Sequence, residues 1–89
     1  MIKKYCSCVR AVQNTGKHRK EIDKFVREIT DGKYYAQKSY ASKVMLIIDT
    51  RTNLVVQGCD LGEYIVAVDG SKYEIISPKV FESLFAECK

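Results

Sequence analysis

The chain has 89 residues, 46% of them hydrophobic and 29% charged, with a net charge of +4. This composition excludes a disordered polar chain, and the length excludes more than one ordinary domain. The longest apolar run, Val44 to Ile48, is too short for a membrane-spanning helix, so no membrane partner is expected.

The opening "MIKKYCSCVRAV" lacks the unbroken apolar stretch of a signal peptide, and a cytosolic protein is expected. Residues 1–43 hold eleven Lys/Arg against four Asp/Glu, and residues 44–89 hold four against seven. The basic half favours an anionic partner. A core this small also gains from self-association, which makes a homo-oligomer one expectation.

Strand character runs from about Tyr5 to Val12 and stops at the turn cluster Asn14-Thr15-Gly16. Ile22, Phe25, Val26 and Ile29 then recur at i, i+3, i+4 and i+7, which predicts a helix over about Lys17 to Thr30. Asn14 or Thr15 is the expected cap at its start, and Asp31-Gly32 its stop. At 100° per residue, Lys17, Lys20, Lys24 and Arg27 cluster opposite the apolar stripe, with Glu21, Asp23 and Glu28 at the flanks. The same angles turn the sole histidine, His18, towards the apolar side.

Between Lys33 and Lys43, Tyr34, Tyr35 and Tyr40 alternate with lysines. Aromatic rings among cations suit base stacking, and Tyr equally suits a half-buried strand. "KVMLIID" and "NLVVQG", separated by Thr50-Arg51-Thr52, read as a hairpin of two central strands covered on both faces. "EYIVAV" and "SKYEII" flank Asp69-Gly70, the residues of a two-residue type I′ turn. That turn sets Tyr64, Val66, Val68, Ser71, Tyr73 and Ile75 on one face of the sheet, leaving Ile65, Ala67 and Ile76 on the other.

Ser77-Pro78 is a strong helix start, because Ser caps free amides and Pro fits the first turn. Val80, Phe81, Leu84, Phe85 and Cys88 then make an apolar face that covers the sheet. The expected fold is α+β: one antiparallel sheet of four to five strands in the order β-α-β-β-β-β-α, with both helices packed on it.

Chemistry is sparse. Cys6 and Cys8 would share a face on a strand, and with Cys59, Cys88 or His18 they could hold zinc. A lone C-x-C without a second close pair is a weak metal signal, so buried or idle thiols and no cofactor are the expectation. No nucleophile elbow, phosphate-binding loop or dinucleotide turn appears, and no enzyme activity is expected. Asp49, Asp60, Glu63 and Asp69 fall at strand ends and turns, where turn chemistry accounts for them.

Read together, "IKKY…VRAVQNTG…EIDKFV" and "GEYIVAVDGSKYEIISPKVFE" resemble a family of short, largely uncharacterised proteins of tailed bacteriophages and prophages. Its members close on a G-[DE]-[WY]-I…G…Y…P-x-[VI]-F-E pattern. The resemblance spans residues 2–26 and 62–82, with Glu63 where Asp is commoner and "EIISPK" where a more polar stretch is usual. It implies a phage origin and the host cytoplasm as location, and it carries over no active-site residues. Small phage proteins of this kind commonly work by binding. The basic charge argues against mimicry of nucleic acid and towards contact with an anionic partner.

Three functions follow as expectations. The first is inhibition of a bacterial defence system or another host factor, by binding a host protein or nucleoprotein complex through Lys17, Lys20, Lys24 and Arg27, with Tyr34 and Tyr35 as aromatic anchors. The second is binding or sequestering of nucleic acid or a nucleotide through the same residues. The third is an accessory role in virion assembly.

Overall fold

A computed structural model describes residues 2–5 and 9–84, the first four by their backbone alone. Strand β1 (Ile2–Tyr5) pairs antiparallel with β2 (Val9–Gln13), so the expected single opening strand is a hairpin. Cys6 and Cys8 lie outside the described residues. Helix α1 (Arg19–Ile29) follows, then β3 (Tyr34–Lys38), β4 (Met45–Asp49), β5 (Val55–Cys59), β6 (Tyr64–Val68), β7 (Lys72–Ile76) and α2 (Pro78–Leu84). The radius of gyration is 12.3 Å, as expected for one compact domain of this length at about 12 Å.

The α+β class is observed, but the single sheet is not. Among the described residues the strands form two antiparallel sheets, ordered β1-β2-β6-β7 and β3-β4-β5. The helix periodicity of α1 explains how they are joined. Its buried residues Ile22, Phe25, Val26 and Ile29 meet Val12 and Ile65 of the first sheet and Ala36, Met45, Ile47 and Cys59 of the second in one core. The other face of the first sheet carries Ala11, Tyr64 and Val66, covered by Phe81 of α2. Strands β2 and β6 are therefore buried on both faces, which is why "YIVAV" is continuously apolar. Of the hairpin expected to be central, only β4 is; β5 is an exposed edge.

The β6–β7 connection corrects the predicted register. Val68 pairs with Lys72, Ala67 with Tyr73 and Ile65 with Ile75, leaving three residues in the turn. Gly70 and Ser71 both take positive φ, at 84° and 61°. A one-residue change of register moves every side chain of the second strand to the opposite face. Tyr73 and Ile75 consequently pack with Ile65 and Ala67 against the α1 core, while Ile76 joins Tyr64 on the α2 side.

Helix α2 begins as expected at Ser77-Pro78, with the Ser77 hydroxyl accepting from the Val80 amide at 3.3 Å. Phe81 is buried and stacks on Tyr64, ring centroids 3.9 Å apart and planes 9° from parallel. Val80 and Leu84 are exposed, so the expected broad apolar face reduces to Phe81 among the described residues. Phe85 and Cys88 lie outside them.

Asn14 does not cap α1. Its side chain is buried at the junction of the two sheets. Its Nδ2 donates to the carbonyls of Lys43 and Cys59, both at 2.9 Å, and its Oδ1 accepts from the Gly16 amide at 3.1 Å. Its backbone accepts from Gly62 at 2.7 Å and donates to Glu63 at 2.9 Å. Helix α1 starts instead after His18, which has φ of 56° and no capping side-chain bond. His18 is exposed rather than turned to the apolar side. At the other end, Gly32 N–H donates to the Arg27 carbonyl at 2.8 Å and Asp31 N–H to that of Glu28 at 3.3 Å. With Asp31 left-handed at φ 55°, this is a Schellman stop.

Two stability outcomes follow. Phe81→Ala should cost about 3–5 kcal/mol in denaturant melts, as loss of a buried stacked ring does. Asn14→Ala should cost roughly 2–4 kcal/mol, because two buried carbonyls lose their donor. Asn14→Asp adds a pH signature, since a carboxylate facing two carbonyl oxygens is held above its unfolded pKa. Its stability relative to the native chain should be greatest in acid and fall as pH rises through the unfolded carboxyl range, about 4 and above. A flat difference between the two proteins from acid to neutral pH would contradict this placement.

Candidate functional site

The outward strip of α1 follows from its periodicity: the residues opposite Ile22, Phe25, Val26 and Ile29 must face away from the core. Lys17, Lys20, Lys24 and Arg27 are all exposed, and the first three make no ion pair with a described residue. Arg27 differs. Its Nε donates to both oxygens of Asp23, at 3.0 and 3.1 Å, and its guanidinium lies 5.1 Å over the Tyr35 ring.

That pairing belongs to a set of polar struts between α1 and β3. Asp23 Oδ1 also accepts from the Ala36 amide at 3.0 Å, and the Thr30 hydroxyl accepts from the Tyr34 amide at 3.2 Å. Both amides lie on the outer edge of β3, where no neighbouring strand can take them. On the other flank Arg10 of β2 reaches Glu28 at 3.4 Å and sits 5.5 Å from the centre of the Phe25 ring. The helix is thus fixed on both sides, and only its outermost strip is free.

The two predicted aromatic anchors are engaged elsewhere. Tyr34 is half-buried and meets Tyr73 edge-on, centroids 5.5 Å apart, within the α1 core. Tyr35 lies beneath Arg27, with its hydroxyl donating to Asn53 Oδ1 at 2.6 Å. The tyrosine that stands free is Tyr40, fully exposed on the β3–β4 connection.

Tyr40 borders an open cleft of about 890 Å3 between the start of α1 and the end of β3. Arg19, Lys20 and Lys38 line it together with Glu21 and Asp23, and Met45 contributes to the apolar part. Of the predicted residues, the cleft takes in Lys20 alone. Helical angles set Arg19 beside Val26, nearer the apolar stripe than the basic strip. Only the docking of β3 on that flank makes it part of a concave surface, and periodicity carries no such information.

Among the described residues no three His, Cys, Asp or Glu side chains gather where a metal ion could be held. Cys59 is buried in the core, its Sγ 3.7 Å from the Glu63 carbonyl oxygen. Burial, with Glu63 and Asp60 nearby, pushes its thiol up to about 12, so it stays protonated and unreactive at neutral pH. Asp49 and Glu63 hold turns: Asp49 Oδ1 accepts from the Arg51 amide at 2.8 Å, and Glu63 Oε1 from the Asp60 amide at 2.7 Å. No described helix is long and apolar enough to cross a membrane.

Comparison of the chain with protein-family models, with characterised proteins and with solved structures finds no match. The likeness to phage proteins therefore rests on the residues quoted for it.

The thiol assignment is open to direct measurement. Alkylation of the native protein at mildly alkaline pH, read by peptide mass spectrometry, should leave Cys59 unmodified and label it only after unfolding. Native-state labelling of Cys59 at the unfolded rate would overturn its placement in the core.

Proposed function

We propose that the protein acts by binding, without catalysis, and that it docks a partner protein on the exposed strip of α1 and the cleft at its start. The observation that carries this reading is the fixed helix. Struts on both flanks fix the α1 backbone that carries Lys20 and Lys24, with Lys17 exposed just before its start, so little backbone entropy is lost when a partner engages the strip. The partner surface is acidic where it meets this strip.

A protein partner is favoured over nucleic acid by two features. Glu21 and Asp23 stand among the cations of the cleft, which interrupts a continuous track for phosphates. Tyr34 and Tyr35 are held against the core and under Arg27, so among the described tyrosines the stacking platforms that single strands use are reduced to Tyr40. In the setting that the phage resemblance suggests, such a protein blocks a bacterial defence system or another host factor in the host cytoplasm. Nucleic-acid or nucleotide binding and a part in virion assembly are the competing roles.

The test is affinity capture from bacterial lysate, followed by binding titrations with the captured component at several salt concentrations. Arg27 is unsuited to mutation, because a glutamate there would face Asp23 and loosen α1. Lys17→Glu, Lys20→Glu and Lys24→Glu combined should reduce affinity by about a hundredfold or more while leaving the melting temperature within a few degrees. For a protein partner, salt should chiefly slow association. A steep log–log loss of affinity with salt would assign nucleic acid instead. Unchanged affinity in the triple variant would remove the α1 strip as the site.

A further inference from the structure

The outer edge of β3 is closed by α1 over part of its length only. Within the β3–β4 pairing, Thr50 N–H donates to the Lys33 carbonyl and Ser39 N–H to that of Val44. Lys33, Tyr35, Gln37 and Ser39 therefore turn their backbone groups towards β4, and Tyr34, Ala36 and Lys38 turn theirs outward. The helix runs back along this edge. Thr30 accepts from the Tyr34 amide, and two turns earlier Asp23 accepts from that of Ala36. The next outward amide is that of Lys38, and one turn before Asp23 stands Arg19. A guanidinium has no acceptor, so it cannot continue the series. No described residue accepts from the Lys38 amide, and Lys38 opens on the cleft of about 890 Å3.

The same cleft holds cations without counterions. Arg19, Lys20 and Lys38 line it, are exposed, and form no ion pair with a described residue. Its own carboxylates are engaged: Asp23 by Arg27 and the Ala36 amide, and Glu21 by His18, whose Nδ1 lies 3.9 Å from Oε1. We infer that the cleft receives a carboxylate side chain from an extended acidic segment of the partner protein. That carboxylate accepts from the Lys38 amide and pairs with Arg19, as Asp23 accepts from Ala36 and pairs with Arg27. The inference rests on the reading that α1 and its cleft dock a protein.

Both bonds are charge-assisted, so they favour a carboxylate over a neutral side chain. Lys20 and Lys38 add positive charge beside them, and neighbouring acidic residues of the segment strengthen the contact. Ala36 and Met45 belong to the lining and offer apolar surface to the methylenes of a glutamate. An acceptor that must reach a strand-edge amide beside a helix needs a narrow carrier, which an extended segment supplies. A cleft of this volume takes several residues, whereas a free inorganic anion fills a small part of it.

Titration of the nitrogen-15-labelled chain with a tetraglutamate peptide blocked at both ends, read by amide chemical shifts at low salt, tests the inference. The Lys38 amide proton should move downfield and saturate, because it gains an ionised acceptor. Arg19→Gln should weaken this binding by about fivefold or more while the shifts of the core amides stay as they are. A tetraglutamine peptide should leave Lys38 unmoved. Absence of a saturable shift at Lys38, or equal affinity in Arg19→Gln, would overturn the site. An equal shift with tetraglutamine would assign pairing of a peptide backbone with β3 and overturn the carboxylate. Inorganic phosphate that matched the peptide in affinity would assign free anions and overturn the acidic segment. None of these readouts needs the captured partner. Loss of partner binding in the combined Lys17, Lys20 and Lys24 variant, with Lys38 unmoved by the peptide, would keep the α1 strip and remove the cleft. A saturable Lys38 shift with partner affinity unchanged in that variant would keep the cleft and remove the strip.

Discussion

The buried side chain of Asn14 is the joint on which the two-sheet arrangement depends. It is one amide, with two donors and one acceptor in use, and it ties three separate crossings of the chain. Through Lys43 it holds the β3–β4 connection, and through Cys59 the end of β5. Its backbone bonds to Gly62 and Glu63 join the end of β2 to the start of β6. An apolar residue could fill the space but would leave those carbonyls without donors, and a buried carbonyl without a donor is costly. The first sheet and the second are thus joined by polar bonds at one end and by the α1 core along the middle.

This joint also shapes the end of α1. With Asn14 drawn into the junction, the chain crosses Thr15, Gly16 and Lys17 before helical geometry begins at Arg19. Gly16, at φ 81°, takes the left-handed turn there, and a Cβ on it would come within 3.2 Å of Lys43 and 3.3 Å of Leu61. The start of the helix is set away from the sheet junction by this detour, and the cleft opens between it and β3.

Much of this was legible in the sequence where one element decides its own geometry. Ile22, Phe25, Val26 and Ile29 are the buried face of α1 as their spacing predicts, and Ser77-Pro78 starts α2. The basic strip is exposed, because a helix with one buried face has only one place for lysines. What could not be read depended on pairing between distant segments. Asp69-Gly70 suits a two-residue turn, yet Ser71 also adopts positive φ and adds a third residue, which exchanges the faces of Tyr73 and Ile75. Asn14 looks like a cap because Asn favours helix starts, but its tertiary partners Lys43 and Cys59 are 29 and 45 residues away. Tyr34 and Tyr35 sit among lysines in sequence, while in space one belongs to the core and the other to Arg27.

Opposite edges of the second sheet are finished in different ways. Helix α1 occupies the β3 edge, where Asp23 and Thr30 bond outward amides of that strand, and β5 is the far edge. There Ile48 pairs with Val55 and Ile47 with Gln57, so β5 carries one residue more than the strand opposite it. Such a bulge leaves Val56 out of the ladder and bends the edge away from the flat form that other strands pair with. A flat, pairing edge is thus avoided on one side by polar side chains of the helix and on the other by an irregularity of the strand itself.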